Sequence, residues 1–191
     1  MGWAIHHSNS GVKNRLIASE KTPIADALLL KPKLLADDRG VFSRLFCRKT
    51  LAAAGHQFDI EQINNSSTKH AGTIRGLHYQ VGDYPEAKLV RCIAGSIFDV
   101  IAYTRRNSPT YGKWFGVVLS PKEREMLIVP EGVAHGFQSL EEHSEVVYAS
   151  TAEYSPDDER GLRWNDPLFN IEWPIKEDID LSEKDQQWPD F

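Results

Sequence analysis

Short runs of apolar and β-branched residues follow one another through most of the chain, with turn-forming residues between them. Turns of this kind include Ala94-Gly95, Ser120-Pro121 and Pro130-Glu131-Gly132. The predicted strands of this region are 59–64, 72–79, 87–93, 96–103, 114–119, 125–129, 134–140 and 145–150. Strands at this spacing, with almost no helical periodicity between them, are typical of an antiparallel sandwich or barrel.

The two ends of the chain have other patterns. Residues 1–20 mix His, Ser, Asn and Gly without periodicity, which predicts a flexible extension ahead of a single domain at 21–191. The only helix predicted runs from Arg48 to Ala54 and stops at Gly55. From Tyr154 the chain is polar and punctuated by proline, and its tryptophans are predicted to anchor it on the barrel wall. These are Trp164, Trp173 and Trp188.

Composition and charge narrow the functional classes. The chain has 191 residues, of which 41% are hydrophobic and 26% charged, as suits one globular domain. A net charge of −5 argues against nucleic-acid binding but allows a small anionic ligand held by a few local cations. No bilayer-length apolar run and no signal-peptide pattern occur, so we expect a cytoplasmic protein without a membrane partner. Cys47 and Cys92 are expected to be buried free thiols, and a single disulfide is the alternative.

The stretch Arg75-Gly76-Leu77-His78-Tyr79-Gln80 concentrates candidate chemistry. Strand alternation would send Arg75 and His78 to opposite faces. Gly76 between them permits a bulge that aims both at one pocket. The alternative is an edge strand carrying an isolated surface histidine.

Pro130-Glu131-Gly132-Val133-Ala134-His135 resembles the second half of the cupin signature, a turn that delivers a histidine into a small jelly-roll barrel. Metal-binding cupins carry a paired His-x-His in the first half, where this chain has His78-Tyr79-Gln80. Two histidines without a clear carboxylate partner make a poor divalent site, so no metal is predicted. A histidine satisfied in the core and a metal ligand are the alternatives for His135.

An ordered set of motifs spans roughly Pro23 to Asp185 and resembles the dTDP-4-dehydrorhamnose 3,5-epimerase family of cupin-fold sugar-nucleotide epimerases. No single motif is decisive, but their order along the chain is specific. The motifs are Asp38-Arg39-Gly40, residues 75–80, Ala87-Lys88-Leu89-Val90-Arg91, residues 108–114, residues 130–132 with His135-Gly136-Phe137, residues 164–167 and residues 181–185.

The resemblance implies an all-β, cupin-type antiparallel jelly-roll barrel that forms a homodimer, needs no cofactor, and acts on a nucleotide-diphosphate 4-keto-6-deoxy sugar. It makes His78 the general base, Asp185 the carboxylate that orients it, and Tyr148 the proton donor on the other face of the sugar. Lys88 would lie beside the keto oxygen. The residues expected to hold the sugar or its nucleotide diphosphate are Arg39, Arg44, Gln62, Asn64, Arg75, Lys88, His135, Glu159 and Lys184.

The residue chemistry suits this reaction independently. A ketone at C4 acidifies the hydrogens on C3 and C5, because the carbanion delocalises onto oxygen as an enolate. Histidine is the natural base near neutral pH, and a carboxylate partner fixes its tautomer. A lysine can stabilise the enolate oxygen, and a protonated tyrosine can return a proton from the opposite face.

Four positions depart from the family pattern. Arg44 stands where a glutamate is common, Ala149 where a lysine is frequent, and Glu153-Tyr154 replaces a common aromatic pair. Because of Arg44 and the Glu153-Tyr154 pair, nucleotide selectivity is expected to differ from a strict thymidine preference. The alternative functions are a single-centre epimerase or ketoisomerase on another nucleotide sugar, a non-catalytic nucleotide-sugar binder, and a metal-dependent cupin enzyme.

Overall fold

The computed structural model describes residues 16–191 and is built almost entirely of antiparallel β-strands. Two short helices, α1 (Arg48–Ala53) and α2 (Glu183–Gln186), are the remaining regular elements of this part of the chain. The strands are β1 (Ile17–Lys21), β2 (Leu28–Pro32), β3 (Leu35–Asp37), β4 (Gly40–Phe42), β5 (Gln62–Thr68), β6 (Ile74–Gln80), β7 (Lys88–Ala94), β8 (Ile97–Tyr103), β9 (Trp114–Leu119), β10 (Met126–Val129), β11 (Val133–Ser139), β12 (Ser144–Ser150) and β13 (Glu159–Gly161).

The strands form two large sheets and a small hairpin. The six-stranded sheet has the order β1-β2-β10-β7-β12-β5, and the five-stranded sheet has the order β13-β6-β11-β8-β9. Strands β3 and β4 pair only with each other. Adjacent strands within each sheet are antiparallel, which confirms the all-β jelly-roll architecture predicted from the sequence.

Apolar residues on both faces of the central strands explain why their sequences lack strict alternation. In β10, Leu127 and Val129 join the core between the two sheets, while Met126 and Ile128 pack under α1 on the outer side. In β8, Val100 and its neighbours on the outer face lie under the C-terminal segment. A strand covered on both faces reads as a continuous apolar run, so periodicity alone does not reveal its orientation.

The C-terminal segment covers the outer face of the five-stranded sheet. Trp173 is buried there and Trp164 packs beside it, as the anchoring role predicts. Trp188 lies elsewhere, against Gly161 of β13, with its ring centre 6.0 Å from that of His78. The third tryptophan therefore borders the candidate site as well as holding the chain end.

Several predicted element boundaries need correction. Strand β1 pairs with β2 and buries Ile17, so the flexible extension predicted for residues 1–20 does not include 17–20, whereas residues 1–15 lie outside the described part of the chain. Helix α2 was not predicted, although Ser182 accepts a hydrogen bond from the backbone N–H of Asp185 as an N-cap. Strand β13 was also missed, because its three residues carry no apolar pattern.

Both cysteines are free thiols, so the alternative of a disulfide between them is wrong. Cys92 is fully buried, as expected, whereas Cys47 is only half buried. None of the helices within residues 16–191 has the length and apolar character needed to cross a membrane.

Candidate active site

Two adjoining cavities open where the two large sheets face each other. One has a volume of about 460 Å³ and the other about 360 Å³. Both are lined by His78 from β6 of one sheet and by Lys88 and Tyr148 from β7 and β12 of the other. The candidate base and the candidate acid therefore reach the same space from opposite walls.

A bulge in β6 places Arg75 and His78 on one side of the strand. His78 lies opposite His135 of β11, but Arg75 lies opposite Phe137, so β6 has one more residue than β11 between the paired positions. Gly76 supplies that residue with a φ of 122°, and a Cβ there would lie 2.5 Å from the Cα of Gly136. The bulge predicted at Gly76 is present, and Arg75 and His78 both line the larger cavity.

His78 is held by a buried carboxylate. Its Nε2 lies 2.6 Å from Oδ1 of Asp185, which is 4% exposed. The other oxygen of Asp185 accepts from the backbone N–H of Gly76 at 3.4 Å. Burial acts to raise the pKa of Asp185, but the hydrogen bond and charge of His78, with the Gly76 and Ser182 donors, hold it below its usual value. Asp185 is thus a charged acceptor that fixes the imidazole and leaves Nδ1 as the free nitrogen.

Glu159 borders the second nitrogen of His78. Its Oε1 lies 3.9 Å from Nδ1 of His78, and its Oε2 accepts from the hydroxyl of Tyr154 at 2.8 Å and from Nζ of Lys184. Burial acts to raise the pKa of Glu159, while these two donors and the charge of His78 bring it below its usual value. An ionised Glu159 favours the positive charge that His78 gains when it takes a proton.

Tyr148 and Lys88 face His78 across the cavities. Burial raises the pKa of the Tyr148 hydroxyl, and the negative charges of Glu86 and Glu159 raise it further. Tyr148 is therefore a protonated phenol at neutral pH and can donate. The ammonium of Lys88 lies 2.7 Å from Oε1 of Glu86, and only 12% of the lysine side chain is exposed.

A second histidine–carboxylate pair completes the larger cavity. Nε2 of His135 lies 2.8 Å from Oδ1 of Asp99, which is fully buried on β8. This contact gives His135 the hydrogen-bond partner expected of a core histidine. Its side chain also lines the cavity, where it can face a substrate. Asp99 was not predicted from the sequence, although a carboxylate inside the apolar run of β8 was a usable signal, because a buried charge needs a partner.

Comparison with known proteins identifies the family. The profile described as dTDP-4-dehydrorhamnose 3,5-epimerase matches residues 21–191. The dTDP-4-dehydrorhamnose 3,5-epimerase of Shigella flexneri is 46% identical over 167 residues, which cover 86% of this chain and 91% of the relative. The chain belongs to the dTDP-4-dehydrorhamnose 3,5-epimerase family.

Solved members of the family share the fold. The dTDP-4-dehydrorhamnose 3,5-epimerase of Bacillus anthracis str. Ames, with TDP and PPi bound, superposes with a TM-score of 0.87 and 40% identity over 91% of this chain and 98% of that one. The dTDP-6-deoxy-D-glucose-3,5-epimerase of Legionella pneumophila was solved in complex with dTDP-4-keto-L-rhamnose. It superposes with a TM-score of 0.84 and 36% identity over 89% of this chain and 90% of that one. Both relatives were therefore solved with nucleotide ligands.

Most residues that the family resemblance assigns to the site meet at the two cavities. The larger cavity brings together Arg75, His78, Lys88, His135, Tyr148, Lys184 and Asp185. The smaller one adds Gln62, Asn64 and Glu159. Glu86 also lines the smaller cavity and was not predicted as a site residue. The one sequence signal for it is its position two residues before Lys88, just ahead of β7.

Arg39 and Arg44 are the exceptions among the assigned residues. Arg39 lies in the β3–β4 hairpin, where its side chain is 80% exposed and pairs with Asp37 at 2.6 Å. Arg44 follows the hairpin and is also exposed. Neither arginine lines either of the two cavities within this chain.

Residues 16–191 contain no cluster of three or more His, Cys, Asp or Glu side chains arranged to hold a metal ion. His78 and His135 are each engaged by a carboxylate through Nε2. The predicted independence from metal remains a prediction that chelation tests.

Proposed function

We propose that the protein is a dTDP-4-dehydrorhamnose 3,5-epimerase, which inverts C3 and C5 of a dTDP-linked 4-keto-6-deoxyhexose in deoxysugar biosynthesis. The observation that carries this proposal is the opposition of His78 and Tyr148. They come from different sheets and line the same cavities, as inversion at carbon requires. Family membership supplies the substrate class.

His78 removes the first proton. With Nε2 engaged by Asp185, the lone pair of Nδ1 takes the hydrogen from C3 or C5 of the sugar. The electrons of the broken C–H bond move onto the C4 oxygen and form an enolate. Asp185 and Glu159 stabilise the imidazolium that results, through the short contact to one nitrogen and the charge near the other.

Lys88 and Tyr148 complete the inversion. The ammonium of Lys88 stabilises the enolate oxygen, and loss of such a group typically costs ~10²–10³ in rate. Tyr148 then donates its hydroxyl proton to the opposite face of the carbon, and the ketone reforms. The phenolate regains a proton and the imidazolium loses one by exchange with solvent, after which the second centre reacts in the same way.

The remaining cavity residues suit a sugar attached to a diphosphate. The guanidinium of Arg75 is aligned by Nε donation to Oγ1 of Thr68 at 3.0 Å and by a contact to the carbonyl of Ser67 at 3.1 Å. A guanidinium held in this way presents its remaining N–H groups to phosphate oxygens. Lys184 and His135 line the same cavity, and Gln62 and Asn64 offer amides in the adjoining one.

We also propose that the protein works as a homodimer. The β3–β4 hairpin and the residues beside it expose a row of large apolar side chains: Leu34, Leu35, Val41, Phe42 and Leu45. An apolar surface of this kind marks an interaction site. In the dimer we propose, Arg39 and Arg44 reach the cavity of the second copy, which would explain why arginines assigned to the substrate line neither cavity of their own chain.

Solvent exchange tests the function directly. The protein is incubated in deuterated water with the 4-keto-6-deoxyhexose carried on thymidine, uridine, cytidine or guanosine diphosphate, and the product is followed by NMR. We expect deuterium at C3 and C5 together with inverted configuration, and activity that survives prior chelation. Binding without exchange would indicate a non-catalytic binder, exchange at one carbon a single-centre epimerase, and loss on chelation with recovery on metal addition a metal-dependent enzyme.

A further inference from the structure

The carboxylate of Glu86 lies between the ammonium of Lys88 and the hydroxyl of Ser150. One of its oxygens, Oε1, is 2.7 Å from the ammonium of Lys88. The other, Oε2, is 2.8 Å from the hydroxyl of Ser150, which is 1% exposed. Only 11% of the Glu86 side chain is exposed, so both of its contacts form where water competes weakly.

Two neighbouring strands fix this arrangement. Ser150 at the end of β12 pairs with Lys88 at the start of β7, so the lysine and the hydroxyl that flank Glu86 are adjacent in the sheet. Tyr148 lies on β12 two residues before Ser150, on the same face, and Glu86 lines the cavity that Tyr148 also lines.

We propose that Glu86 is a positioning residue for the epimerase reaction, which holds the Lys88 ammonium beside the substrate ketone and keeps Tyr148 in its proton-donating form. This role rests on the epimerase function proposed above. A lysine side chain has a flexible four-carbon stem, so an anchored ammonium loses less freedom when the enolate forms. Removal of the anchor then affects the transition state more than substrate binding.

The charge of Glu86 has a separate effect on Tyr148. Burial is the main cause of the raised pKa of this tyrosine, and Glu86 is the largest of the nearby charges that raise it further. Glu159 and Tyr154 act in the same direction, while Arg75, Lys88 and Lys184 are the cationic side chains that line its two cavities, together with the imidazole of His78. Without the Glu86 charge the phenolate forms more easily, so the pKa of Tyr148 falls and the acid is lost at a lower pH.

Glutamine at position 86 separates charge from hydrogen bonding. Its amide oxygen can accept from Lys88, and its amide N–H can donate to Ser150, whose hydroxyl then donates to the carbonyl of Ala152 at 2.9 Å. Glu86→Gln therefore keeps every partner satisfied and removes only the charge. Glu86→Ala removes both the charge and the anchor. Glu145→Gln is the matched control, because this half-buried glutamate on β12 lines neither cavity.

The test is the pH dependence of kcat and KM for wild type and these three variants with the dTDP-linked 4-keto-6-deoxyhexose. We expect kcat of Glu86→Ala to fall about 10- to 100-fold with a smaller change in KM, in line with a weakened oxyanion contact. Glu86→Gln should recover most of that kcat while its alkaline limb moves to lower pH. Glu145→Gln should match wild type in both.

An alkaline limb of Glu86→Gln that coincides with that of wild type would overturn the proposal, and so would wild-type kcat in Glu86→Ala. Either result leaves the epimerase function intact, since wild type is measured in the same series. A wild-type protein that neither exchanges nor inverts the sugar would overturn the proposed function and this role of Glu86 together.

Discussion

At the scale of single residues, the site consists of paired groups that set each other's protonation. Asp185 is ionised because His78 donates to it, and Tyr148 stays protonated because it is half buried beside two carboxylates. An ionised carboxylate behind His78 and a protonated phenol across the cavity from it give the two residues different roles. The sequence marks His78 and Tyr148 as candidates, but their opposition across a cavity follows only from the pairing of strands.

The residue-scale prediction concerns the base. His78→Ala should abolish solvent exchange at both carbons. The other imidazole that lines the larger cavity, His135, is more deeply buried than His78 (9% against 26% of the side chain exposed) and does not line the smaller cavity. Asp185→Asn should keep the fold but slow exchange by up to ~10⁴, the cost of a wrong imidazole tautomer in a comparable pair. Exposed Asp157→Asn is the matched control and should exchange at the wild-type rate. Unchanged exchange in His78→Ala would remove it from the role of base.

At the scale of elements, strand β6 depends on one glycine. Gly76 has a φ of 122° and its Cα faces Gly136 of β11 so closely that a Cβ would lie 2.5 Å away. Both the backbone conformation and the packing therefore require glycine. The bulge it forms is what turns Arg75 toward the cavity that also contains His78.

Gly76→Ala should lower the free energy of unfolding by roughly 2–5 kcal/mol, the sum of backbone strain and overpacking. Gly55→Ala is the control: its φ is 92°, but no atom lies within 4 Å of the added Cβ, and it lies outside the hairpin proposed to form the dimer contact, so it isolates the strain. Chemical denaturation of both variants measures the difference. Equal loss of stability in the two would show that the contact with Gly136 is relieved at little cost.

The same elements show how far sequence reasoning reaches. Strand β9 begins and ends at the predicted residues, because Trp114–Leu119 is an apolar run between clear turns. Strand β5 begins at Gln62 and continues through polar residues to Thr68, so its predicted bounds were wrong; its pairing with β12, and not its own pattern, makes it a strand. Helix α2 has four residues and was missed, although it positions Asp185.

At the scale of the whole molecule, pairing between strands distant in sequence brings together site residues that the local sequence pattern does not identify. Glu86 and Asp99 belong to the site because of partners brought together by the sheets, and single charges in a sequence do not reveal such partners. The apolar hairpin raises the same issue between copies of the chain, since the proposed partner surface belongs to a second subunit.

The proposed homodimer gives a prediction at this scale. Light scattering should report twice the 21.6 kDa chain mass, and Phe42→Asp should shift the protein toward monomer and reduce activity, because a charge would then be buried in the interface. Val118→Asp is the control, since Val118 is 53% exposed on β9, the edge strand of the five-stranded sheet, and lies outside the hairpin. A monomeric wild type, or a fully dimeric Phe42→Asp, would contradict the proposed interface.

The most direct test of the two-wall mechanism is Tyr148→Phe in deuterated water. Phenylalanine keeps the ring but removes the acid, so the enolate can still form against Lys88 and be reprotonated by His78 after the imidazolium has exchanged its proton with solvent. NMR of the sugar nucleotide should then show deuterium incorporated with retained configuration, while inverted product falls by the ~10²–10⁴ typical of a lost general acid. Inversion that continues at the wild-type rate in Tyr148→Phe would contradict the account.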